Sequence, residues 1–577
     1  MVLIKKKKIK IMLLFPPVFQ PFQPYLSLPS LTAFLERKGY KVIQRDINIE
    51  AYDRFLTEKM LKVSYKNALK RFVYLKYKTP LSSEEEREYL LLSEVILNAS
   101  SLIKNIEKFK NTFKDKDSLC SIKRYKLAWQ MLSEGLKLIS AEFYPTEFTL
   151  KKYITPYNFY SIKDIFKAVS DKKTNIFLNY FKDYVIPDIT DYKPDLVGVS
   201  IVGDYQIIPG FTLAYLIKKT LPRTHITVGG PIFTLVKDEI RKNKELFSLV
   251  DSFIVHEGET SLWRLAENIG NGKDLSRVPN IIYYKKGRIY YNPIFSEDIN
   301  LLPSPSYDGF PLDLYLSPKP ILSILPARSC YWRRCAFCNS FKIFQKYNVR
   351  KPYLVIKDIK YLKERYSTDY FAFVNESMSP KQLRDISEAI IQNNLKVIWY
   401  AGVRFDPAID SQLCNLIKKA GCRLLMFGLE SGSQRVLDLM EKGYKKETIK
   451  NILRHCNNEK IAVHLYCLIG FPGEKKEEAY QTLDFILENK KILESKGFAT
   501  VVSAFQLKKD SKVAHFPSRY GIKIIDKNNN LNLMYQYRMK EGISCREVQK
   551  VSSYINEELT RNFNLEAIHV YHKIFLI

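Results

Sequence analysis

The sequence lacks any apolar run long enough to cross a membrane. The run Ile9 to Phe15 follows four lysines, but Pro16 and Pro17 stop it, and no small-residue cleavage site accompanies it. It predicts a buried first strand, because it is too short for a membrane span and lacks the features of an export signal. We therefore expect a cytoplasmic chain without a membrane span.

The sequence contains few cysteines, and it has fewer acidic residues than basic ones. The nine cysteines are an odd number and three of them crowd together, which favours metal binding in a reducing compartment over disulfides. The 61 Asp and Glu face 91 Lys and Arg, so the net charge is +30. Such an excess is typical of partners such as nucleic acid. The lysines are spread along the whole chain, however, so a solvated surface is the favoured interpretation and a nucleic-acid partner stays an alternative.

At 577 residues the chain is too long for one core and should hold several domains. Residues 1–300 predict a doubly wound, Rossmann-like α/β domain, because strands and helices alternate over 9–46 and again over 195–291. Residues 51–188 show helical periodicity with few glycines and predict a helical insertion. The proline-bearing stretch 301–320 predicts a linker.

The second half alternates strand and helix about six times, which is too few for a closed eight-fold barrel. It predicts a partial (β/α)6 barrel over 321–508, followed by a small tail domain over 509–577. Ligand sites in such folds lie at the carboxyl ends of the strands. The predicted barrel strands are Ile321–Leu325, Tyr370–Val374, Val397–Val403, Arg423–Leu429, Ala462–Ile469 and Thr500–Gln506.

Three cysteines with C-x4-C-x2-C spacing follow the first of these strands: Cys330, Cys335 and Cys338. A structural zinc site is one interpretation, but such sites are closed by four ligands. The next cysteine is Cys414 and the next histidine is His455, so a fourth ligand has to come from elsewhere in the fold. The other interpretation is a 4Fe-4S cluster, in which three thiolates leave one iron open to a chelating amino and carboxylate group.

The cysteine spacing, with an aromatic residue before the last cysteine, resembles the signature of the radical S-adenosylmethionine (SAM) superfamily. The usual spacing there is C-x3-C-x2-C, so this loop carries one extra residue, as some cobalamin-linked members do. The resemblance implies that the cysteines bind a 4Fe-4S cluster that cleaves SAM reductively to a 5′-deoxyadenosyl radical. It also implies an electron donor such as flavodoxin or ferredoxin.

Polar and glycine-rich segments at later strand ends resemble the SAM-binding segments of the same superfamily. A buried carboxylate at the end of the fourth strand, Glu430, needs a partner, and ribose hydroxyls, the SAM ammonium or Arg404 are candidates. A purely structural pair of Glu430 and Arg404 is the alternative. The resemblance implies SAM contacts from Phe337, Asn375, Glu376, Arg404, Glu430, Ser431 and Gly470.

The first domain resembles the cobalamin-binding domain that precedes many radical SAM domains. The resemblance rests on the Pro16–Pro17 loop and on the segments KPDLVGVS, VGGP and HEGET. Small residues at strand ends open a slot for the nucleotide tail of cobalamin. The resemblance implies contacts from Gly198, Ser200, Gly229, Gly230, Glu257 and Gly258. No D-x-H-x-x-G segment occurs, so binding would be base-off without that motif's histidine. The alternative is a scaffold that has lost its corrin.

Together the two resemblances imply a cobalamin-dependent radical SAM enzyme that methylates or otherwise remodels an unactivated carbon of a natural product or peptide. Rearrangement and cyclisation stay open. One alternative is a corrin-free radical SAM enzyme acting on a peptide or RNA, and another is a non-catalytic zinc- or corrin-binding module. We expect His464, Cys422 and Cys467 to be ordinary buried residues, with His464 hydrogen-bonded in the core.

Overall fold

The chain folds into two compact units, described here from a computed structural model. The first unit extends to residue 297 and includes residues 305–320, and the second includes residues 298–304 and the strands that begin at residue 321. The structure describes residues 9–270, 274–493, 498–525, 530–563 and 570–575.

The first unit contains a seven-stranded sheet of order β2-β1-β5-β6-β7-β8-β9. The strands β1, β2, β5, β6 and β7 are parallel, and the last two form an antiparallel hairpin. All five residues of β1 are buried, as expected for a parallel strand covered on both faces. The strands of this unit are β1 (Ile11–Phe15), β2 (Val42–Asp46), β3 (Glu147–Phe148), β4 (Tyr153–Ile154), β5 (Leu196–Ser200), β6 (His225–Gly229), β7 (Ser252–Ile254), β8 (Ile281–Lys285) and β9 (Arg288–Tyr291).

The predicted insertion is helical, with one exception. The short antiparallel hairpin of β3 and β4 interrupts it and was not predicted. The longest helix starts at a capping box, in which Ser82 and Glu85 satisfy each other's backbone N–H groups. The helices of this unit are α1 (Ser27–Arg37), α2 (Ile47–Phe55), α3 (Glu58–Tyr77), α4 (Ser83–Lys114), α5 (Lys116–Cys120), α6 (Ile122–Ala141), α7 (Ile162–Ala168), α8 (Ile176–Tyr184), α9 (Ile186–Tyr192), α10 (Ile207–Thr220), α11 (Pro231–Leu235), α12 (Lys237–Ile240) and α13 (Glu259–Gly270).

The stretch predicted as a linker packs on the sheet of the first unit over much of its length. The amide of Gln44 donates to the backbone carbonyls of Ser306 and Asp308, each at 2.8 Å. The hydroxyl of Tyr315 donates to the carboxylate of Asp46, and both side chains are buried. Residues 305–320 are therefore part of the first unit's core.

The second unit is built on a parallel six-stranded sheet of order β10-β13-β14-β15-β16-β17. These six strands correspond to the six predicted barrel strands. The strand β13 is longer than predicted and carries Asn375 and Glu376 within it instead of beyond it. The strands are β10 (Ile321–Ile324), β11 (Ala327–Arg328), β12 (Asn348–Val349), β13 (Tyr370–Met378), β14 (Ile398–Val403), β15 (Cys422–Glu430), β16 (Ala462–Ile469), β17 (Ala499–Ala504), β18 (Ile522–Ile524) and β19 (Tyr537–Met539).

Helices alternate with the barrel strands and bury one apolar face each. In α15, for example, Leu383, Ile386 and Ile390 recur at helical spacing and are buried. The helices are α14 (Pro352–Tyr366), α15 (Pro380–Gln392), α16 (Ser411–Lys419), α17 (Gln434–Leu439), α18 (Lys446–Asn458), α19 (Lys476–Glu488), α20 (Lys490–Leu493), α21 (Lys512–His515) and α22 (Cys545–Phe563).

The residues predicted as a tail domain, 509–577, lie almost entirely with the barrel strands in the second unit. Helix α22 runs beside β17, the last strand of the sheet. The amide of Asn556 accepts a hydrogen bond from the backbone N–H of Val502 at 3.2 Å and donates to its carbonyl at 2.8 Å. The helix thereby satisfies backbone groups that an edge strand leaves open.

Among the helices described, none combines the length and apolar character that a membrane span requires.

Candidate active site

The three cysteines of the C-x4-C-x2-C motif lie on the loop after β11. Each is partly exposed and none forms a disulfide. Cys330 forms a β-bridge with Ser377, which fixes the first cysteine beside the end of β13. Burial raises the pKa of the Cys335 thiol to about 11, Lys442 partly offsets the rise, and Cys338 and Cys330 add to it. Cys330 and Cys338 are thus near enough to Cys335 to influence its ionisation, and a metal centre would supply the positive charge that buried thiolates need.

Backbone hydrogen bonds fasten the cysteine loop to the turn after α17. The indole N–H of Trp332 donates to the carbonyl of Glu441, and the backbone N–H of Ala336 donates to the carbonyl of Met440, both at 2.9 Å. Gly443 has a φ of 69°, and a Cβ at this position would overlap the Trp332 ring. A glycine is thus required where the turn passes under the indole.

An apolar cluster supports the loop from beneath. Phe337 packs against this cluster and is itself half-buried. Ala336 and Phe337, the two residues between Cys335 and Cys338, thus rest on this apolar cluster. Its buried members are Ala336, Val436, Met440, Phe471, Phe505, Leu507, Val513 and Ile522.

Arg404 does not pair with Glu430, which corrects one of the partners considered for this carboxylate. Its guanidinium stacks on Trp332, with 3.9 Å between the Cζ atom and the ring centre, and donates to the carbonyl of Lys442. Asp406 lies 3.8 Å from a guanidinium nitrogen. Arg404 therefore braces the cysteine loop against the turn after α17.

The partner of Glu430 is Lys442, with 3.0 Å between the carboxylate and the ammonium. Both side chains are largely buried, at 12% and 6% exposure. Glu430 has a φ of 65°, which turns its side chain out of the strand direction. A Cβ at Gly428 would overlap the Glu430 carboxylate, so this glycine makes room for the pair.

At the end of β13, several buried polar atoms have no hydrogen-bond partner in the structure. They are both amide atoms of Asn375 and the hydroxyls of Ser329 and Ser377. An unsatisfied buried polar group costs about 1–3 kcal/mol, so their presence beside the cysteines fits a guest that carries several donors and acceptors. The ammonium, carboxylate and ribose of SAM are such groups. Glu376, the neighbouring residue, has an exposed side chain.

The two other predicted SAM contacts have clear packing roles. The hydroxyl of Ser431 accepts from the backbone N–H of Ser433 at 3.1 Å and is fully buried. A Cβ at Gly470 would overlap Val548, so this glycine lets α22 approach the end of β16. Their contacts with SAM stay predictions.

Apart from Gly198 in the middle of β5, the predicted cobalamin residues lie at or just after the carboxyl ends of strands in the first unit's sheet. Packing also explains why three of these positions are glycines. A Cβ at Gly198 would lie 2.8 Å from Leu13, and one at Gly258 would lie 3.3 Å from Leu31. A Cβ at Gly230 would overlap the backbone of Ile201. Ser200, Gly229, Gly230, Glu257 and Gly258 end or follow three neighbouring parallel strands.

Glu257 is occupied within the first unit itself. Its carboxylate accepts from the backbone N–H of Glu297 at 2.9 Å, and its own carbonyl accepts from the amide of Asn280. By contrast, Gly229 has only ordinary contact at its Cβ position, 3.4 Å from the carbonyl of Ile254. Among the glycines at these strand ends, Gly229 is therefore the one at which a Cβ would meet no close contact.

Sequence reasoning missed several residues of the site. Trp332 and Lys442 showed no signal, because an aromatic residue in a loop and a lysine after a short helix are common on solvated surfaces. Glu474 is fully buried and accepts from the backbone N–H groups of Gly470 and Phe471, and burial raises its pKa to about 7. His464 is buried, as expected, but its Nδ1 has no hydrogen-bond partner. Cys422 and Cys467 are buried thiols, as expected.

A loop with three cysteines at the carboxyl end of an open parallel sheet, with unpartnered polar atoms near it, defines an α/β unit whose donor groups suit a metal cluster and a polar cofactor. Residues 324–486 match the radical SAM superfamily. This segment is a radical SAM domain, and such a domain implies a 4Fe-4S cluster and SAM as cofactors.

Known proteins of this type are similar to the chain over much of its length. An uncharacterized methyltransferase of Pyrococcus horikoshii is 25% identical over 305 residues, which are 52% of this chain and 65% of the relative. The chain spans between 55% and 65% of the length of the first three curated relatives that it matches.

Two solved structures share the fold. The cobalamin-dependent SAM radical enzyme OxsB, with aqua-cobalamin and SAM bound, has a TM-score of 0.61 and 14% identity over 96% of this chain and 67% of its own. The radical SAM methyltransferase TsrM from Kitasatospora setae, with cobalamin and a 4Fe-4S cluster bound, has a TM-score of 0.53 and 15% identity over 90% and 81%. At these identities the likeness concerns the fold.

Proposed function

We propose that the chain is a cobalamin-dependent radical SAM enzyme that methylates or otherwise remodels an unactivated carbon of a natural product or peptide. The observation that carries the proposal is the β-bridge of Cys330, the first cysteine of the motif, with Ser377, two residues along β13 from the unpartnered amide of Asn375. The radical SAM match and the methyltransferase relative support the chemistry. An electron donor such as flavodoxin or ferredoxin is part of the proposal.

Each residue of the site has a proposed task. Cys330, Cys335 and Cys338 would hold the cluster, which together with SAM would supply the radical chemistry needed to remove a substrate hydrogen. Asn375 offers one donor and one acceptor for the polar end of SAM, and Glu376 lies next to it. Contacts from Phe337, Arg404, Glu430, Ser431 and Gly470 complete the proposed SAM site.

Cobalamin would lie against the carboxyl ends of the parallel strands in the first unit. Gly229 leaves space there, Ser200 and Gly230 border it, and Glu257 and Gly258 follow the neighbouring strand. The fold shared with OxsB and TsrM, whose structures contain cobalamin, supports this part of the proposal. Base-off binding is proposed because the D-x-H-x-x-G motif does not occur in the chain.

Anaerobic reconstitution with iron and sulfide tests the proposal. We expect about four irons per chain, a cluster absorbance spectrum and formation of 5′-deoxyadenosine from SAM under reducing conditions. Cys335→Ala should lose the cluster and the 5′-deoxyadenosine. Cys120→Ala removes an exposed thiol of the helical insertion and should retain both.

Other outcomes would identify the alternatives. One zinc per chain without 5′-deoxyadenosine would overturn the proposal in favour of a zinc-binding module. Among the described residues, no group of three or more His, Cys, Asp or Glu side chains is arranged to hold a metal ion, the three cysteines included, so the metal and sulfide content of the reconstituted protein decides between zinc and a cluster. A cluster without the visible spectrum of bound cobalamin would point to a corrin-free enzyme. Candidate substrates incubated with labelled SAM should gain one methyl if the reaction is a methylation.

A further inference from the structure

The buried ion pair of Glu430 and Lys442 lies beside the cysteine loop and is not explained by packing alone. The Lys442 ammonium lies 5.7 Å from the ring centre of Phe337, the residue between Cys335 and Cys338. The backbone of the preceding two residues, Met440 and Glu441, is hydrogen-bonded to the loop itself. Lys442 is thus held at a fixed place beside the segment that joins Cys335 and Cys338.

The charge of Lys442 acts on the sulfur of Cys335. An electrostatic interaction joins Lys442 to Cys335. Burial is the largest influence on Lys442 and lowers its pKa, but the attraction from Glu430, Tyr444 and Cys335 together outweighs it, so the pKa is raised. Glu430 contributes the opposite charge 3.0 Å away, so the pair is neutral as a whole. A fixed charge in a poorly solvated site acts more strongly than it would in water.

We propose that the Glu430–Lys442 pair sets the reduction potential of the cluster that the three cysteines hold. The inference rests on the proposed function, because it requires a redox-active cluster at that place. Reduction adds one electron from an external donor to the cluster and makes it more negative. A nearby cation stabilises the reduced form and a nearby carboxylate opposes it, and net charge and local environment are known determinants of such potentials.

Two single substitutions of the pair have opposite expected effects. Lys442→Met removes the positive charge with a side chain of similar length, so the midpoint potential should shift to more negative values. Glu430→Gln removes the negative charge, so the potential should shift to more positive values. The double variant Lys442→Met with Glu430→Gln is neutral, as the wild-type pair is, and its potential should return toward the wild-type value. General damage to the site would not give shifts of opposite sign.

The experiment is a redox titration of the reconstituted full-length protein without SAM, followed by the electron paramagnetic resonance signal of the reduced cluster. Lys445→Met is the matched control, because Lys445 lies on the same turn but is 72% exposed. Its potential should equal that of the wild type.

Each outcome decides a different claim. Shifts of the same sign in both single variants, or none in either, would overturn the inference while leaving the cluster in place. If Lys442→Met does not take up iron, the positive shift of Glu430→Gln and the return in the double variant still decide it. A wild-type protein that takes up no iron would overturn the proposed function first, and the inference with it.

Discussion

At the scale of single residues, the candidate site separates into groups that the protein satisfies itself and groups that it leaves open. The buried charges are satisfied: Lys442 pairs with Glu430, and Arg404 stacks on Trp332. The open groups include the amide of Asn375, the hydroxyl of Ser377 and one carboxyl oxygen of Glu474, a group whose pKa burial raises to about 7, so that it stays largely neutral at lower pH. Unpaired buried charges cost far more than unpaired amides or hydroxyls, so a site that waits for a cofactor keeps its neutral groups open.

The close approach of Gly443 to Trp332 allows a paired test of the cysteine loop. Gly443→Ala should lower stability through its left-handed backbone, by about 1 kcal/mol, and by about 1–3 kcal/mol more because the methyl group meets the indole. It should also lower iron retention, because Trp332 anchors the loop. Thermal unfolding and iron content after reconstitution are the measurements.

Gly521→Ala is the control for that test, since Gly521 has a similar φ of 61° and its nearest atom lies 4.0 Å from a Cβ. It should show the backbone cost alone, with iron content unchanged. Equal losses in the two variants would contradict a special role for the Trp332 contact.

The buried carboxyl of Glu474 should make stability depend on pH. Burial raises its pKa from 4.5 to about 7, so its contribution to stability is fully present below pH 4.5 and is lost as the pH rises to about 7. The loss amounts to about 3 kcal/mol. Glu474→Gln retains an acceptor for the N–H groups of Gly470 and Phe471 but does not ionise. The melting temperature of the wild type relative to this variant should therefore fall between pH 4.5 and 7 and be level above it.

An exposed residue of the following helix provides the comparison for the pH test. Glu477 lies on α19 with its side chain in solvent, so Glu477→Gln should not change the pH profile. A constant difference between the wild type and Glu474→Gln across this pH range would show that Glu474 ionises normally.

At the scale of secondary-structure elements, the barrel strands could be predicted because each is a short apolar run followed by a turn and a helix. The predicted strand Ala462–Ile469 has the same limits as β16 in the structure. The covering of the sheet edge by α22 could not be predicted. Its buried residues Val548, Val551, Ile555 and Leu559 show that the helix is amphipathic, but not which surface it covers.

The candidate site, too, could be predicted from the sequence only in part. The cysteine spacing and the strand-end segments predicted where the site lies, because local sequence determines a loop after a strand. The pairing of Glu430 with Lys442 joins residues on either side of α17, and only the packed structure brings them together. The structural pair of Arg404 and Glu430, one of the alternatives considered, was wrong for this reason: Lys442 lies twelve residues further along the chain, and nothing in the sequence indicated that it would reach the carboxylate.

The hydrogen bonds between α22 and the edge strand should contribute measurably to stability. Asn556→Leu leaves the buried N–H of Val502 without its acceptor, which should cost about 1–2 kcal/mol. The carbonyl of Val502 keeps the hydroxyl of Ser552 as a donor, so the loss is confined to one group. Thermal unfolding measures the effect. Glu557→Leu, at the next and exposed position, should leave the melting temperature nearly unchanged, and an equal fall in both variants would show that the contact with β17 is not the cause.

At the scale of the whole molecule, the two units each have their own parallel sheet and their own buried core. The net charge of +30 does not by itself mark a binding surface, because it arises from lysines and arginines along the whole chain. Several of them form ion pairs with exposed partners, as Lys62 does with Glu58 in the insertion. What distinguishes the units is therefore the chemistry at their strand ends.

Because each unit has its own core, the two proposed cofactors should be lost independently. Cys335→Ala should abolish iron binding and leave the visible spectrum of bound cobalamin intact. Gly229→Val should do the reverse: its φ is not left-handed and a Cβ has ordinary contact there, so the fold tolerates the change while the added methyl groups fill the cobalamin space. Iron analysis and absorbance spectra of both variants, prepared in parallel with the wild type, measure the two occupancies. If a folded Gly229→Val protein lost its iron together with its cobalamin, iron binding in the second unit would depend on the first, and the expected independence would be wrong.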